Sequence, residues 1–302
     1  MNPFPKVLKR QDYIQEGANP APGAMLLACT VGSDDDVPKS RVIVVRDGLE
    51  LAFRFTGDSA VSIDAAAKGP GYVLGENGTI IRFDWRGATS AAELEQSRRS
   101  FSIPAVEDLG PLRRLRLLGR DLVCAGSVGQ VYQLVGDRLT ALPRLRIDGE
   151  DVTIEDITGP SAADMIAVTS DGHGARFDGK AWRKLALTSS SSLNCACRLP
   201  RGRYAIAGDN ATLWIGSANK WRAVPAPELE RDYTGIAADG ATIYLAHMGG
   251  IDVYEGGAIR PLKIPSRRRN EFVVLRSGPD GIGSFAGRSV GLIAAGQWQV
   301  MV

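Results

Sequence analysis

The chain has 302 residues, and its 36 Lys and Arg against 34 Asp and Glu leave a net charge of only +2. So balanced a charge supplies no field for holding a nucleic acid or an acidic membrane surface, and no run approaches the roughly eighteen apolar residues of a spanning helix. With 35 glycines, 16 prolines and no Pro/Ser-rich linker, the composition suits one closed, turn-rich domain over residues 1–302.

In chain order, Met1–Gly17 carries Lys6, Lys9 and Arg10 but neither an apolar core nor a small-residue cleavage site. It is not read as a secretory signal, and the cytoplasm is the expected compartment. From Asp12 onward, short apolar runs alternate with Gly, Pro and Asp, the mark of short antiparallel strands. The first group, Asp12 to Phe55, is anchored at Cys29-x-x-Gly32 and carries an insertion, Ser33–Ser40, with Asp34, Asp35 and Asp36 in it. The second, Ala60 to Gly87, holds the turn Gly75-Glu76-Asn77-Gly78 and is followed by an insertion up to Arg99. There Ser90, with Glu93 three residues on, reads as a capping box opening a helical turn.

A third group is anchored at Gly126-x-x-Gly129, and the fourth, Ile154–Leu185, is the most complete. In it Ile154 and Ile157 precede Gly159-Pro160, Met165–Val168 runs into a Ser-Asp-Gly turn, Ala175–Phe177 turns at Asp178-Gly179, and a last strand carries Trp182. Gly208-x-x-Ala211, Ala246-x-x-Gly249 and Phe285-x-x-Arg288 anchor the last three groups. Seven four-stranded units at a period of about forty residues predict an all-β fold, a seven-bladed β-propeller of four-stranded antiparallel blades. Leu139, Trp182, Trp221, Ile259 and Trp298 recur at one offset from the turns and are expected on the fourth strands, packed between sheets. Val7-Leu8 is expected to add a strand to the last blade and help close the ring.

Gly69-Pro70, Tyr72, Gly75, Gly78-Thr79-Ile80-Ile81 and Phe83-Asp84, with Asp178-Gly179 and Trp182, resemble bacterial β-propellers of the sialidase-like and photosystem-assembly-factor repeat superfamily. The resemblance implies seven blades around a central channel and specifies fold better than function. Thr169-x-Asp171-x-His173 departs from the sialidase Asp box at its glycine. The two histidines, His173 and His247, read as solvated turn residues, with a paired-His metal site using Asp171 or Asp209 as the alternative. First strands such as Leu193–Cys197 and Thr234–Ala237 read as short of acids, and Cys195 and Cys197 as buried free thiols rather than half a metal site. No catalytic residue, metal or cofactor is therefore expected; the alternative is a hydrolase or lyase working in the axial channel.

The repeat phase puts the turns between second and third strands, and the links from one blade to the next, on one rim. That rim is expected to carry Asp34, Asp35, Asp36, Glu76, Asn77, Arg98, Arg99, Asp171, His173, Arg231, Tyr233, His247, Arg267, Arg268 and Arg269. Mixed charge with Arg, Tyr and Met on framed loops suits a protein partner. The Arg triplet has few aromatic platforms beside it, which disfavours nucleic acid. The expectation is a monomeric, non-enzymatic binding propeller in a bacterial cytoplasm, acting as an immunity protein against a toxin or as an assembly scaffold.

Overall fold

The computed structural model describes residues 8–9, 11–32, 39–217, 220–226, 228–265 and 273–301. The chain is an all-β seven-bladed β-propeller, with seven four-stranded sheets whose strands follow one another in plain sequence order. The described residues fall into two compact units, Met1–Leu115 with Arg276–Val302, and Arg116–Leu275. The boundary runs through the first strands of blades three (Leu112–Leu118) and seven (Val274–Gly278).

The first unit holds blade one, Asp12–Ala18, Met25–Val31, Lys39–Arg46 and Leu49–Thr56. Its fourth strand shows the period of two that builds the sheet: Leu51, Phe53 and Phe55 are buried while Arg54 and Thr56 are exposed. Those faces join Val42, Val44, Ile63 and Phe83 in one apolar cluster shared with blade two. Each fully buried side chain of this kind contributes about 1.5–3 kcal/mol. Blade two is Ala60–Ala65, Gly71–Gly75, Thr79–Phe83 and Arg99–Ser102. The sheet therefore runs past Gly87, and the Ala88–Arg98 stretch is not a link to the next blade but the connection between its third and fourth strands. The expected helix is there, Ala91–Gln96, capped by Ser90, whose side chain accepts from the Glu93 amide. The Glu93 carboxylate answers one residue early, accepting from Thr89 N and Oγ1 rather than from the cap itself. The last blade's sheet takes all four strands from Val274–Gly278 to Gln297–Val300, and Val7 lies outside the described residues.

In the second unit, blade four reproduces the sequence reading strand for strand: Ile154–Ser161, Asp164–Thr169, Gly174–Phe177 and Trp182–Lys184. The residues at the fixed offset all lie in fourth strands. Leu139 pairs with Leu134, Trp182 with Phe177, Trp221 with Gly216 and Ile259 with Tyr254, and in the first unit Trp298 pairs with Ile293. They are half-buried: Trp182 stands 5.0 Å from the Phe177 ring and donates from Nε1 to Pro143 O at 2.7 Å. Trp221 lies where only a glycine leaves room, since a Cβ on Gly216 would come within 2.7 Å of its Cδ2. A small hairpin, Arg146–Ile147 with Glu150–Asp151, follows blade three, and Asp148 and Gly149 turn it with φ of 54° and 92°.

The strands named as short of acids are so, Leu193–Leu199 holding none and Gly235–Asp239 only its exposed last residue, but the first strands of blades one and four depart from that reading. Glu16 in the first unit and Asp156 in the second are buried, and each follows a register shift in its strand pair, between Ile14 and Glu16 and between Ile154 and Asp156. Such a bulge re-aims a side chain. Each carboxylate accepts the backbone N–H of the next blade's first strand, Ile63 at 3.2 Å and Ala196 at 3.1 Å. Arginines complete both sites, Arg276 and Arg114 beside Glu16 and Arg116 beside Asp156 at 2.9 Å. Burial pulls Arg276 down to about 9, and the Glu16 carboxylate at its Nη2 opposes that pull by favouring the charged form. These acids tie blade to blade.

Candidate protein-binding edge

One edge of the second unit collects the turns between second and third strands of blades four, five and six together with the links between those blades. A chain of hydrogen bonds runs along it. Ser192 Oγ donates to Ser170 O at 2.6 Å, joining the blade-four turn to the link that follows. Asp209 N donates to Ser192 O at 3.0 Å and Asn210 Nδ2 to Ser191 Oγ at 3.0 Å, reaching the blade-five turn. Ala211 N then donates to Arg231 O at 2.6 Å, and Tyr233 N to Gly208 O at 3.1 Å. Asn210 and Ala211 both take left-handed backbone conformations, with φ of 54° and 53°. Asn tolerates that region, whereas a residue such as Ala pays about 1–2 kcal/mol for it, so the flanking hydrogen bonds are what hold the turn.

At blade six the chain ends in a cluster that the sequence reading saw only in part. Arg231 Nη1 lies 2.6 Å from Asp252 Oδ1 and 2.8 Å from His247 Nε2, and Tyr233 donates its hydroxyl to Asp252 Oδ2 at 3.0 Å. Gly249 N donates to His247 Nδ1 at 3.1 Å, fixing the ring from the turn side. Burial pushes the Asp252 carboxyl up, but the His247 and Tyr233 side chains and the Arg231 charge outweigh it and hold it below the ordinary carboxylate range. Burial, with the Asp252 charge and hydrogen bond, pushes the Tyr233 phenol well up. Met248 stands clear at the tip of the same turn, 77% exposed.

Of the residues expected to meet a partner, Asp171, His173, Arg231 and His247 are on this edge, Asp171 exposed and His173 partly so. Arg231 and His247 come together, with side chains 28% and 12% exposed. Tyr233 is a correction: it is fully buried, and its ring and hydroxyl belong to the frame rather than to a contact surface. The two histidines do not pair, since His247 packs against Tyr233 with centroids 6.2 Å apart while His173 is felt at Asp148. Among the described residues no three His, Cys, Asp or Glu converge as metal ligands.

In the first unit, Glu76 and Asn77 form the expected turn, held from beneath by buried Asp58, which accepts from Asn77 N at 3.0 Å and Thr79 N at 3.2 Å. Arg98 and Arg99 are a second correction. Arg98 ends the connection between third and fourth strands and Arg99 opens the fourth strand, at the opposite end of blade two from Glu76 and Asn77. Arg98 is turned inward onto its own blade and its neighbour, paired with Glu95, 3.2 Å from Arg54 O and 5.0 Å over the Phe53 ring. Asp34, Asp35, Asp36, Arg267, Arg268 and Arg269 lie outside the described residues. Asp252 was missed in the sequence because it sits inside a strand, Gly250–Glu255, with no turn signal to mark it.

No protein-family model and no curated protein matches the chain. Solved structures do. The structure described as YCF48 bound to D1 peptide is similar at 16% identity and a TM-score of 0.67, covering 93% of this chain and 92% of that one. The WD40 β-propeller domain of Doa1 is similar at 12% identity and a TM-score of 0.68, covering 94% and 92%. YCF48 from Cyanidioschyzon merolae is similar at 14% identity and a TM-score of 0.67, covering 94% and 95%. At these identities the likeness shows the propeller fold that the repeat predicts.

Proposed function

We propose that this chain is a non-enzymatic protein-binding propeller whose partner docks on the turn edge of blades four to six. The observation that carries the reading is Met248, 77% exposed at the tip of a turn anchored through His247 to Arg231 and Asp252. An adaptable apolar side chain beside an arginine, on backbone that is already fixed, is a combination enriched at protein contacts. Ordering costs little on such an edge, so contact area converts more fully into affinity. The D1 peptide bound to YCF48, one of the structural neighbours, supports the same use of the fold. The buried carboxylates Glu16 and Asp156, engaged by arginines and backbone amides, support a structural role for the first strands rather than an acid–base one.

The biological role we infer is a cytoplasmic, monomeric, bacterial one: neutralising a single partner, as an immunity protein does for a toxin, or scaffolding an assembly. The test is affinity enrichment from cells of the source organism with the wild-type chain and with Met248→Asp, a change at an exposed tip that leaves the frame alone. One stoichiometric partner should be retained by the wild type and weakened about thirtyfold or more by the variant, as for an interface hot spot. A partner that binds the variant equally well, and is lost instead on substituting Glu95 at the far end of blade two, refutes the placement.

A further inference from the structure

Blade five is Leu193–Leu199, Arg203–Gly208, Leu213–Ser217 and Lys220–Ala223. Its end opposite the edge described above is formed by the turn Pro200–Gly202 between the first two strands. Arg198, Arg201 and Arg203 are exposed there, and none of the three side chains has a hydrogen bond or an ion pair among the described residues. Arg146, Arg183 and Arg260, also exposed in the same unit, are each paired with a carboxylate. Lys220 opens the fourth strand at the same end, and the one acid between Leu193 and Ala223, Asp209, lies at the other. The tip residue, Arg201, takes φ of 62°, a left-handed conformation that an L side chain enters at a cost. A second observation comes from the sheet itself. Tyr204 faces Arg198 across the strand pair and is 6% exposed, yet its hydroxyl is not sealed in and makes no hydrogen bond among the described residues. Burial and then Asp164 push this phenol up while Arg198 and Arg176 pull it back, which places the hydroxyl near those side chains. Asp164 is already taken by Arg176 at 2.9 Å, so Tyr204 and Arg198 are left as donors.

Three guanidinium groups and a phenol without an acceptor call for carboxylates or phosphates. The flanks decide how large the anion is. Blade four ends on this side in Asp164 and Asp178, and blade six in Asp239 and Glu255. Sheets packed face to face stand about 10 Å apart, so the cationic surface is about one blade wide with acids on both sides. A nucleic acid or a bilayer would extend over those acids. The arginines also do not converge: Arg198 lies on the Tyr204 face of the sheet, and Arg203, paired with Leu199, on the other. That spacing suits several separate carboxylates better than one phosphate. We propose that this end of blade five is a second docking surface, for a short acidic segment of a partner protein. Arg198 and Tyr204 hold one carboxylate, and Arg201 and Arg203 hold others. The surface is independent of the Met248 edge.

The test is titration calorimetry of the full chain with capped hexaglutamate and hexaglutamine peptides, a twelve-nucleotide oligothymidylate and inorganic phosphate. Hexaglutamate should bind and hexaglutamine should not, and raising salt from about 50 to about 200 mM should weaken hexaglutamate several-fold. The variant Arg198→Gln/Arg201→Gly/Arg203→Gln should weaken it about tenfold or more, as for three exposed ion pairs. The control Lys68→Gln/Arg120→Gln/Arg138→Gln removes the same charge from exposed positions elsewhere and should bind as wild type. Unliganded melting checks that each variant folds. Arg201→Gly alone, which frees the left-handed position of its side chain, should melt within about 2 °C of wild type and lose about threefold in affinity. No binding of hexaglutamate, equal losses in the two triple variants, or oligothymidylate or phosphate binding more tightly than hexaglutamate overturns the proposal.

Discussion

Replacing Tyr233 by Phe removes one hydroxyl from a fully buried ring and changes little else. That hydroxyl donates at 3.0 Å to Asp252, which is 1% exposed, so its loss withdraws a hydrogen bond from a charged acceptor that water does not reach. A bond of this kind is worth about 1.5–3 kcal/mol, which for a chain of this size corresponds to a fall in Tm of about 2–5 °C. The pH dependence carries a signature. The Asp252 carboxyl is held below its ordinary value in the folded chain, so its contribution is complete above the unfolded value of about 4 and is lost as pH falls through the lower folded one. Tyr233 is one of the groups holding it there, so the variant's deficit should be full at neutral pH and shrink as Asp252 takes up its proton. Urea denaturation between pH 3 and 8, with amide exchange over Gly250–Glu255 to localise the loss, measures both. A Tyr233→Phe chain as stable as wild type at pH 7, but defective in holding a partner, would show that the hydroxyl serves the contact and that the frame reading is wrong.

Trp182→Ala should cost about 2–4 kcal/mol, at or below the roughly 3–5 of a fully buried aromatic because the indole is half-exposed; denaturation should show the loss while partner affinity stays within twofold. Cys29 and Cys124 are buried, with thiols pushed by burial up to about 12, so the native chain at pH 8 should react with a disulfide reagent at least a hundredfold more slowly at these positions than the denatured chain. Rapid native modification would indicate local opening of blade one or blade three.

The fold was legible because its signals are local. A glycine-bearing turn and a bulky residue ten positions later define a hairpin and its register, and Leu139, Trp182, Trp221, Ile259 and Trp298 all report it. Blade two breaks the rule, since six residues of helix separate its third and fourth strands and Phe101 replaces the expected offset residue, so Arg99–Ser102 went unread as a strand. The candidate edge was legible in outline for the same reason of phase, which brought Arg231 to His247. What escaped depended on contacts between distant segments. Asp252 acquires its role from groups 19 and 21 residues earlier, and an aromatic in a stretch without strand pattern, Tyr233, gives no sign of being buried. Glu16 looks like a surface acid in a polar strand, and only the bulge after Ile14 turns it inward to Ile63 and Arg276.

The stitching along blades four to six has an evolutionary consequence. Three of its links, Asp209 to Ser192, Ala211 to Arg231 and Tyr233 to Gly208, run between backbone amides and carbonyls. Those groups are present whatever side chain a codon specifies, so a lineage can exchange Asp171 or Met248 without redrawing the loops that carry them, whereas Asp232, which accepts from Asn210 N at 3.1 Å, is part of the frame. Such an edge can change its exposed side chains while the backbone that carries them keeps the same hydrogen bonds.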